Sequence, residues 1–109
     1  MHMQRVYDYV LEFVFGVYLL DPAALRLRLT AVKTSLKVTE LGLEFSLPDL
    51  YEFALLEVKG EDKQSYTSFR RCLYGQQTQV MLRQLGGEVV IAQNHQHINM
   101  SIYRLQALN

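Results

Sequence analysis

The stretch 41-LGLEFSLPD-49 decides the fold class, because it places a strand signal directly before a helix start. Apolar residues occupy every second position of 41–47, which predicts a half-buried strand over about 39–46. Ser46 can cap a helix, and Asp49 three residues later completes a variant of the capping box, with a proline in the first turn. The sequence therefore predicts a helix over 47–58 behind the strand, and a mixed α and β fold.

A second helix start stands upstream, at Asp21-Pro22. An aspartate accepts hydrogen bonds from the free amides of a first helical turn, and proline at the first helical position loses no needed donor. Leucine and valine then follow at spacings of four, three and four, which predicts a helix over 22–36. Residues 25–30 also alternate like a strand, and the capping signal decides in favour of the helix.

The first segment, residues 4–20, is rich in aromatic and β-branched side chains. Its charged residues fall three and four apart on one stripe, which predicts a largely buried helix, although Val, Tyr and Phe favour strands. The aromatic side chains are either core or a dimer contact; they are Tyr7, Tyr9, Phe13, Phe15 and Tyr18. Because the segment is more apolar than one exposed helix should be, we predict a homodimer.

The C-terminal part predicts one long helix followed by a hairpin. Ser65 can cap a helix over 65–85, which Gly75 can bend or divide and which two glycines end. Two strands follow, at about 88–93 and 98–106, joined by a hairpin turn at residues 94–97. Together with the earlier elements this predicts an α+β domain with a three-stranded antiparallel sheet and about four helices.

Length and composition predict one small domain. The chain has 109 residues, half of them apolar, which suffices for one hydrophobic core, so we predict a single domain over 1–109. Cys72 is the only cysteine, which excludes an internal disulfide and favours a reducing compartment. The apolar run 13–20 is too short to span a membrane, which takes about 20 residues. We expect a cytoplasmic protein without a membrane contact.

The two halves of the chain carry opposite charge. Residues 1–62 hold six basic and ten acidic groups, a net charge of −4. Residues 63–109 hold five basic groups and one acid, Glu88, a net charge of +4. Such a division can mark a one-sided surface for an anionic partner, can serve self-association, or can arise by chance.

From residue 22 the predicted elements run helix, strand, helix, helix and β-hairpin, after an extra N-terminal helix. This order resembles the winged helix-turn-helix over roughly 85 residues, 22–106. The resemblance implies that helix 65–85 enters the major groove of double-stranded DNA and that the hairpin forms the wing. The candidate nucleic-acid contacts are Lys63, Ser65, Tyr66, Thr67, Ser68, Arg70, Arg71, His95 and His97. A solvated helix face is the alternative interpretation of the two arginines.

Catalytic motifs are not recognisable in the sequence. His95 and His97 could share a metal if they lay on a strand, but a polar turn explains them better, because no sulfur or acidic ligand stands nearby. We therefore expect a non-enzyme without cofactor or metal. The leading functional hypothesis is a nucleic-acid-binding regulatory protein. The alternative is a non-enzymatic protein-interaction or assembly module that uses the aromatic N-terminal segment.

Overall fold

The computed structural model describes residues 6–32, 34–58 and 65–108. Within these ranges it contains five helices and one four-stranded sheet, which confirms the predicted α+β class and corrects the predicted three strands and about four helices. The helices are α1 (the consecutive stretches Val6–Tyr9, Val10–Phe15 and Gly16–Leu20), α2 (Pro22–Thr30), α3 (Leu47–Glu57), α4 (Tyr66–Tyr74) and α5 (Gln76–Gln84). The strands are β1 (Lys37–Val38), β2 (Leu43–Phe45), β3 (Gly87–Gln93) and β4 (Ile102–Ala107).

Helix α1 confirms the helix predicted over 4–20, of which residues 4 and 5 lie outside the described ranges. Its middle stretch, Val10–Phe15, is a π-helix. Burial on one helical stripe outweighs the strand preference of these residue types. The buried side chains of α1 are Val6, Tyr9, Val10, Leu11, Val14, Phe15 and Tyr18. Most of the aromatic segment is therefore core, while Phe13 and Leu20 stay exposed.

Helix α2 begins where the sequence predicts and ends earlier. The Asp21 carboxylate accepts a hydrogen bond from the Ala24 amide at 3.3 Å. The helix ends at Thr30, so the prediction that it continues to residue 36 was wrong. The chain instead turns and buries Leu36 in the core, with 4% of the residue exposed, before it forms β1. Core burial and strand pairing outweigh the helical spacing of this leucine.

The strand predicted over 39–46 is correct only at Leu43–Phe45. Residues 39–42 form a tight turn, in which the Thr39 amide donates to the Gly42 carbonyl at 2.8 Å. The Thr39 hydroxyl also accepts from the Gly42 amide at 3.2 Å. This turn joins β1 to β2 in a hairpin, which supplies the fourth strand that the sequence did not predict.

Helix α3 agrees with the helix predicted over 47–58, and the Ser46 hydroxyl accepts the Asp49 amide at 3.4 Å as its cap. The single helix predicted over 65–85 is two helices, α4 and α5. They divide at Gly75, whose backbone is extended with φ −61° and ψ 145°. The predicted division by this glycine is therefore confirmed.

The sheet is antiparallel throughout, in the order β1-β2-β4-β3. Phe45 of β2 pairs with Tyr103 of β4, and a β-bulge interrupts the β3–β4 register between Ile91 and Gln93. The strand before α3 thus lies beside the last strand of the chain. This arrangement is compatible with the winged-helix order that the sequence resembles.

The strand predicted over 98–106 was wrong in its first part, and the connection predicted as a turn at 94–97 extends over 94–101. Ser101 is buried, with 4% of the residue exposed. Its hydroxyl accepts from the His95 amide at 3.2 Å and donates to the His97 carbonyl at 3.1 Å. These local side-chain bonds to the backbone compete with strand pairing, so residues 98–100 turn in spite of their alternating pattern.

The helices cover one face of the sheet and form one hydrophobic core with it. The Phe45 ring lies 5.5 Å from the Phe15 ring of α1 and 6.1 Å from the Tyr103 ring of β4, centroid to centroid. Cross-strand partners Lys37, Glu44 and Arg104 share the other face. Within the described ranges, no helix has both the length and the apolar character to cross a membrane.

Candidate nucleic-acid interface

Helix α4 and its cap Ser65 present a mixture of exposed and supporting side chains. The Ser65 hydroxyl accepts from the Ser68 amide at 3.1 Å and thereby caps the helix, as predicted. Ser65, Thr67 and Arg71 are exposed, whereas Tyr66, Ser68 and Arg70 are half-buried. Lys63, the remaining predicted contact on this side, lies outside the described residues. The exposed groups are two hydroxyls and one guanidinium, a set that suits phosphate oxygens.

Asn99 of the loop 94–101 joins that loop to α4. Its side-chain oxygen accepts hydrogen bonds from the Tyr66 hydroxyl and, at 3.4 Å, from the Arg70 guanidinium. The same guanidinium lies 5.6 Å from the centre of the Tyr66 ring, which is cation–π distance. The start of α4 and the loop therefore lie against each other and form one continuous surface.

Sequence reasoning did not predict Asn99 as part of this site. The residue stands between Ile98 and Met100 in a stretch that alternates apolar and polar side chains. That alternation indicates a strand with Asn99 on its solvent face. The buried hydroxyl of Ser101 overrides this pattern, and no signal in the sequence shows that it would.

A stripe along α4 continues the contact toward the sheet. Tyr66, Arg70 and Tyr74 are four residues apart and so lie on one helix face. The Tyr74 and Tyr103 hydroxyls share a hydrogen bond, and their rings meet edge to face at 6.0 Å. Tyr51 of α3 supports the stripe from behind, with its ring 5.5 Å from that of Tyr66.

Burial raises the pKa of both tyrosines in this stripe. For Tyr66, desolvation raises the pKa, and the positive charge of Arg70 partly opposes it. For Tyr74, desolvation acts first, and the hydrogen bond with the Tyr103 hydroxyl raises the pKa further. Both phenols therefore keep their protons at neutral pH, and Tyr66 can act as a hydrogen-bond donor to Asn99.

The predicted histidines lie on the loop rather than on a strand, and both are exposed. The His95 ring nitrogen Nε2 stands 3.3 Å from the Gln93 side-chain oxygen, and the His97 carbonyl accepts from the Ser101 amide at 3.0 Å. The argument that strand geometry aligns the two rings for a shared metal therefore does not apply. Among the described residues there is no group of three or more His, Cys, Asp or Glu side chains that could hold a metal ion.

The basic residues of the C-terminal half do not act as one set. Arg104 is half-buried on the sheet, 3.8 Å from the Glu44 carboxylate, and it also donates to Gln106 at 3.2 Å. It is therefore unavailable to a partner at the loop. Arg71 and Arg83 are exposed, on α4 and α5 respectively.

Among the described residues, three acidic side chains are engaged by polar neighbours or line a hollow beside the loop. Glu88, the single acid of residues 65–108, accepts from Gln106 at 2.9 Å, at the end of the β3–β4 hairpin away from the loop. Asp49 and Glu44 line a hollow of about 270 Å³ together with Gln93 and Ile102, beside the base of the loop. The hydroxyls of Ser35 and Ser46 donate to the Asp49 carboxylate.

Comparisons with protein families, curated proteins and solved structures give no match for this chain.

Proposed function

We propose that this protein binds nucleic acid, with double-stranded DNA as the leading partner, through the surface that α4 forms with the loop 94–101. The observation that carries the proposal is the Asn99 junction, which joins the helix start and the loop through Tyr66 and Arg70. A groove-binding helix and a wing act together only if they are held in a fixed relation. The compatible order of elements supports the same proposal.

The exposed side chains of this surface have the chemistry that phosphate contacts need. Thr67 offers a hydroxyl, Arg71 a guanidinium, and the first turn of α4 its backbone amides. His95 and His97 add imidazoles from the loop, and Lys63 remains a predicted contact. Arg70 has a supporting role in this proposal, because its guanidinium already contacts the Tyr66 ring and Asn99.

The expected binding is weak and sensitive to salt. The chain has no net charge, and its pI is about 6.8, whereas strong nucleic-acid binders are usually basic. Affinity would come from a few phosphate contacts and the release of their counterions, so it falls as salt rises. A regulatory protein of this kind requires no catalytic residue, and we propose that it is not an enzyme and acts in the cytoplasm.

The test is a fluorescence-anisotropy titration of a random-sequence DNA duplex at low salt. We expect binding by the unmodified chain and weaker binding by Arg71→Ala. Arg26→Ala is the matched control, because Arg26 is an exposed arginine on α2, whose main contacts are with the end of α1 and with β1. Binding absent at tens of micromolar protein would contradict the proposal, since even non-specific binders reach about 10⁻⁴–10⁻⁶ M at physiological salt.

A protein-interaction module is the second candidate, and exposed apolar side chains favour it. Leu20 is 89% exposed, Leu56 79% and Leu27 74%. Because most aromatic side chains of α1 are core, this segment offers a partner little besides Phe13 and Leu20. We therefore propose that the chain forms a homodimer through a surface other than the aromatic face of α1.

A further inference from the structure

A hollow of about 220 Å³ lies between α3 and the residues that follow α2. Val32 and Ser35 line it from one side, and Glu52, Phe53 and Leu56 of α3 line it from the other. Its lining includes no described residue of α4 or of the candidate loop, so it is separate from the candidate nucleic-acid interface. Sites for whole small molecules usually measure about 300–1,000 Å³, so this smaller hollow suits individual side chains of a protein partner better.

The apolar part of the hollow combines a buried ring with side chains that water reaches. Phe53 is 6% exposed, whereas Val32 is 42% and Leu56 79% exposed. Burial of exposed apolar surface is favourable, and an aliphatic side chain of a partner would remove these surfaces from water. The hollow therefore favours a partner that supplies such a side chain.

Every charged side chain that the described residues contribute to the hollow is acidic. These side chains are Asp49, Glu52 and Glu57. Asp49 already accepts hydrogen bonds from two serine hydroxyls, and Glu57 lies beside the Tyr9 hydroxyl. Glu52 is exposed and forms no hydrogen bond or ion pair within the described ranges. Its carboxylate can therefore pair with a cationic partner without the loss of an existing contact.

We propose that this hollow docks a basic amphipathic helix of a protein partner, with an arginine or lysine beside Glu52 and an aliphatic side chain against Phe53 and Leu56. Charge complementarity sets the basic character of the partner, and the apolar lining sets its amphipathic character. Glu52 and Leu56 are four residues apart on α3, about 6 Å along the axis at 1.5 Å per residue. A partner helix matches this distance when its basic and aliphatic residues are also four apart. The inference gives a surface to the interaction module, the second candidate function, and it does not depend on DNA binding.

An NMR titration of the isotope-labelled full chain tests the docking and locates it. The probe is an alanine-based peptide of about 14 residues, long enough for partial helicity, with two arginine–leucine pairs, each four residues apart. The control peptide has the same composition with each pair two residues apart, which places its members on different helix faces. We expect shifts in Val32, Ser35 and α3, with a dissociation constant of about 1 mM or below. The control peptide should bind at least about fivefold more weakly.

Two variants separate the charge from the apolar contact. Glu52→Gln should raise the dissociation constant of the probe about threefold to fivefold, the range of an exposed ion pair. Leu56→Ala should raise it about fivefold or more, because apolar surface is lost from the contact. Glu12→Gln and Leu20→Ala are the matched controls, since they change exposed residues of α1 outside the hollow, and they should leave the constant unchanged. All four positions are exposed, so the fold should persist by circular dichroism.

Several results would overturn the proposal. These are the absence of shifts at about 5 mM probe, equal binding of the two peptides, and shifts centred on α4 and the loop 94–101. Ethylguanidine that binds as tightly as the probe would show a site for a small cation instead of a helix. Lys33 lies outside the described residues, and binding that appears only in Lys33→Ala would show that the chain itself occupies the hollow. None of these results bears on the DNA titration, so the two proposals can fail separately.

Discussion

Tyr66 donates its hydroxyl hydrogen to the side-chain oxygen of Asn99, across 33 positions of the sequence. This contact connects the first residue of α4 with the loop that follows β3. Because Arg70 donates to the same oxygen, the loop depends on two side chains of one helix face. The order of the loop and the shape of the candidate surface are therefore coupled.

Removing the Tyr66 hydroxyl should loosen the loop without unfolding the domain. Tyr66→Phe keeps the ring against Tyr51 and deletes the hydroxyl, with its hydrogen bond to Asn99 and its contact with Arg70. We expect a loss of about 1 kcal/mol in the free energy of unfolding, the usual net contribution of such a bond. Hydrogen exchange by mass spectrometry should show that residues 94–101 exchange faster in the variant than in the unmodified chain, while exchange in β4 stays the same. Unchanged loop protection would show that the Tyr66 hydroxyl does not anchor the loop.

Arg70 and Arg71 should differ in what they contribute. Sequence reasoning treats both as solvated arginines, but Arg70 is half-buried and contacts Tyr66 and Asn99. Arg70→Ala should therefore lower the free energy of unfolding by about 1 kcal/mol, while Arg71→Ala should change it by less than about 0.5 kcal/mol. Urea denaturation of the two variants measures the difference. Equal losses would mean that the Arg70 contacts contribute nothing in solution.

Arg71 should contribute directly to DNA binding through phosphate contacts. Arg71→Ala should reduce the log–log salt slope by about 0.9 for each phosphate contact that it removes, with the fold intact. Arg26→Ala should leave the slope unchanged. A slope that Arg71→Ala does not alter would remove Arg71 from the proposed interface.

Helix starts were predicted well because their signals are local. Asp21 and Ser46 cap helices with their own side chains, and each cap depends on residues three positions away. Helix ends and strand limits depend on contacts distant in sequence. Leu36 lies outside the helix because its side chain is buried in the core. The turn at Thr39–Gly42 forms because β2 pairs with both β1 and β4.

The sequence predicted which segments form the candidate site but not which side chains of those segments contact each other. The sequence places Tyr66 and Arg70 on one helix stripe, since they are four residues apart. It cannot show that Asn99 meets them, because that requires the loop 94–101 to turn at Ser101. Nor can it show that Arg104 is engaged by Glu44, since their pairing follows from the register of β2 with β4.

Stability should fall at alkaline pH, because burial raises the pKa of Tyr66 and Tyr74 above the ordinary value of 10.0. In the unfolded chain these phenols ionise near pH 10, whereas in the folded chain they hold their protons more tightly. Their contribution to stability is thus complete below pH 10 and is lost as the pH rises through the higher folded values. Urea denaturation at pH 8 and pH 11 should show the loss. Tyr74→Phe should reduce this pH dependence, and an unchanged dependence would contradict the assignment.

Gly42 should tolerate no side chain, because the turn between β1 and β2 brings its α-carbon against β4. A Cβ added there would collide with the Leu105 carbonyl oxygen and would lie 2.8 Å from the Arg104 side chain. The carbonyl belongs to a central strand and cannot move without breaking the pairing of β2 with β4. Gly42→Ala should therefore lower the free energy of unfolding by about 3 kcal/mol or more, the range of severe backbone strain.

Gly86→Ala is the control: its backbone has φ +89°, but no atom of the described residues stands within 4 Å of the added Cβ. That variant should lose only the smaller cost of a left-handed alanine, about 1 kcal/mol. Thermal denaturation of both variants measures the difference, and equal losses would show that the close approach of Gly42 to β4 does not constrain the hairpin.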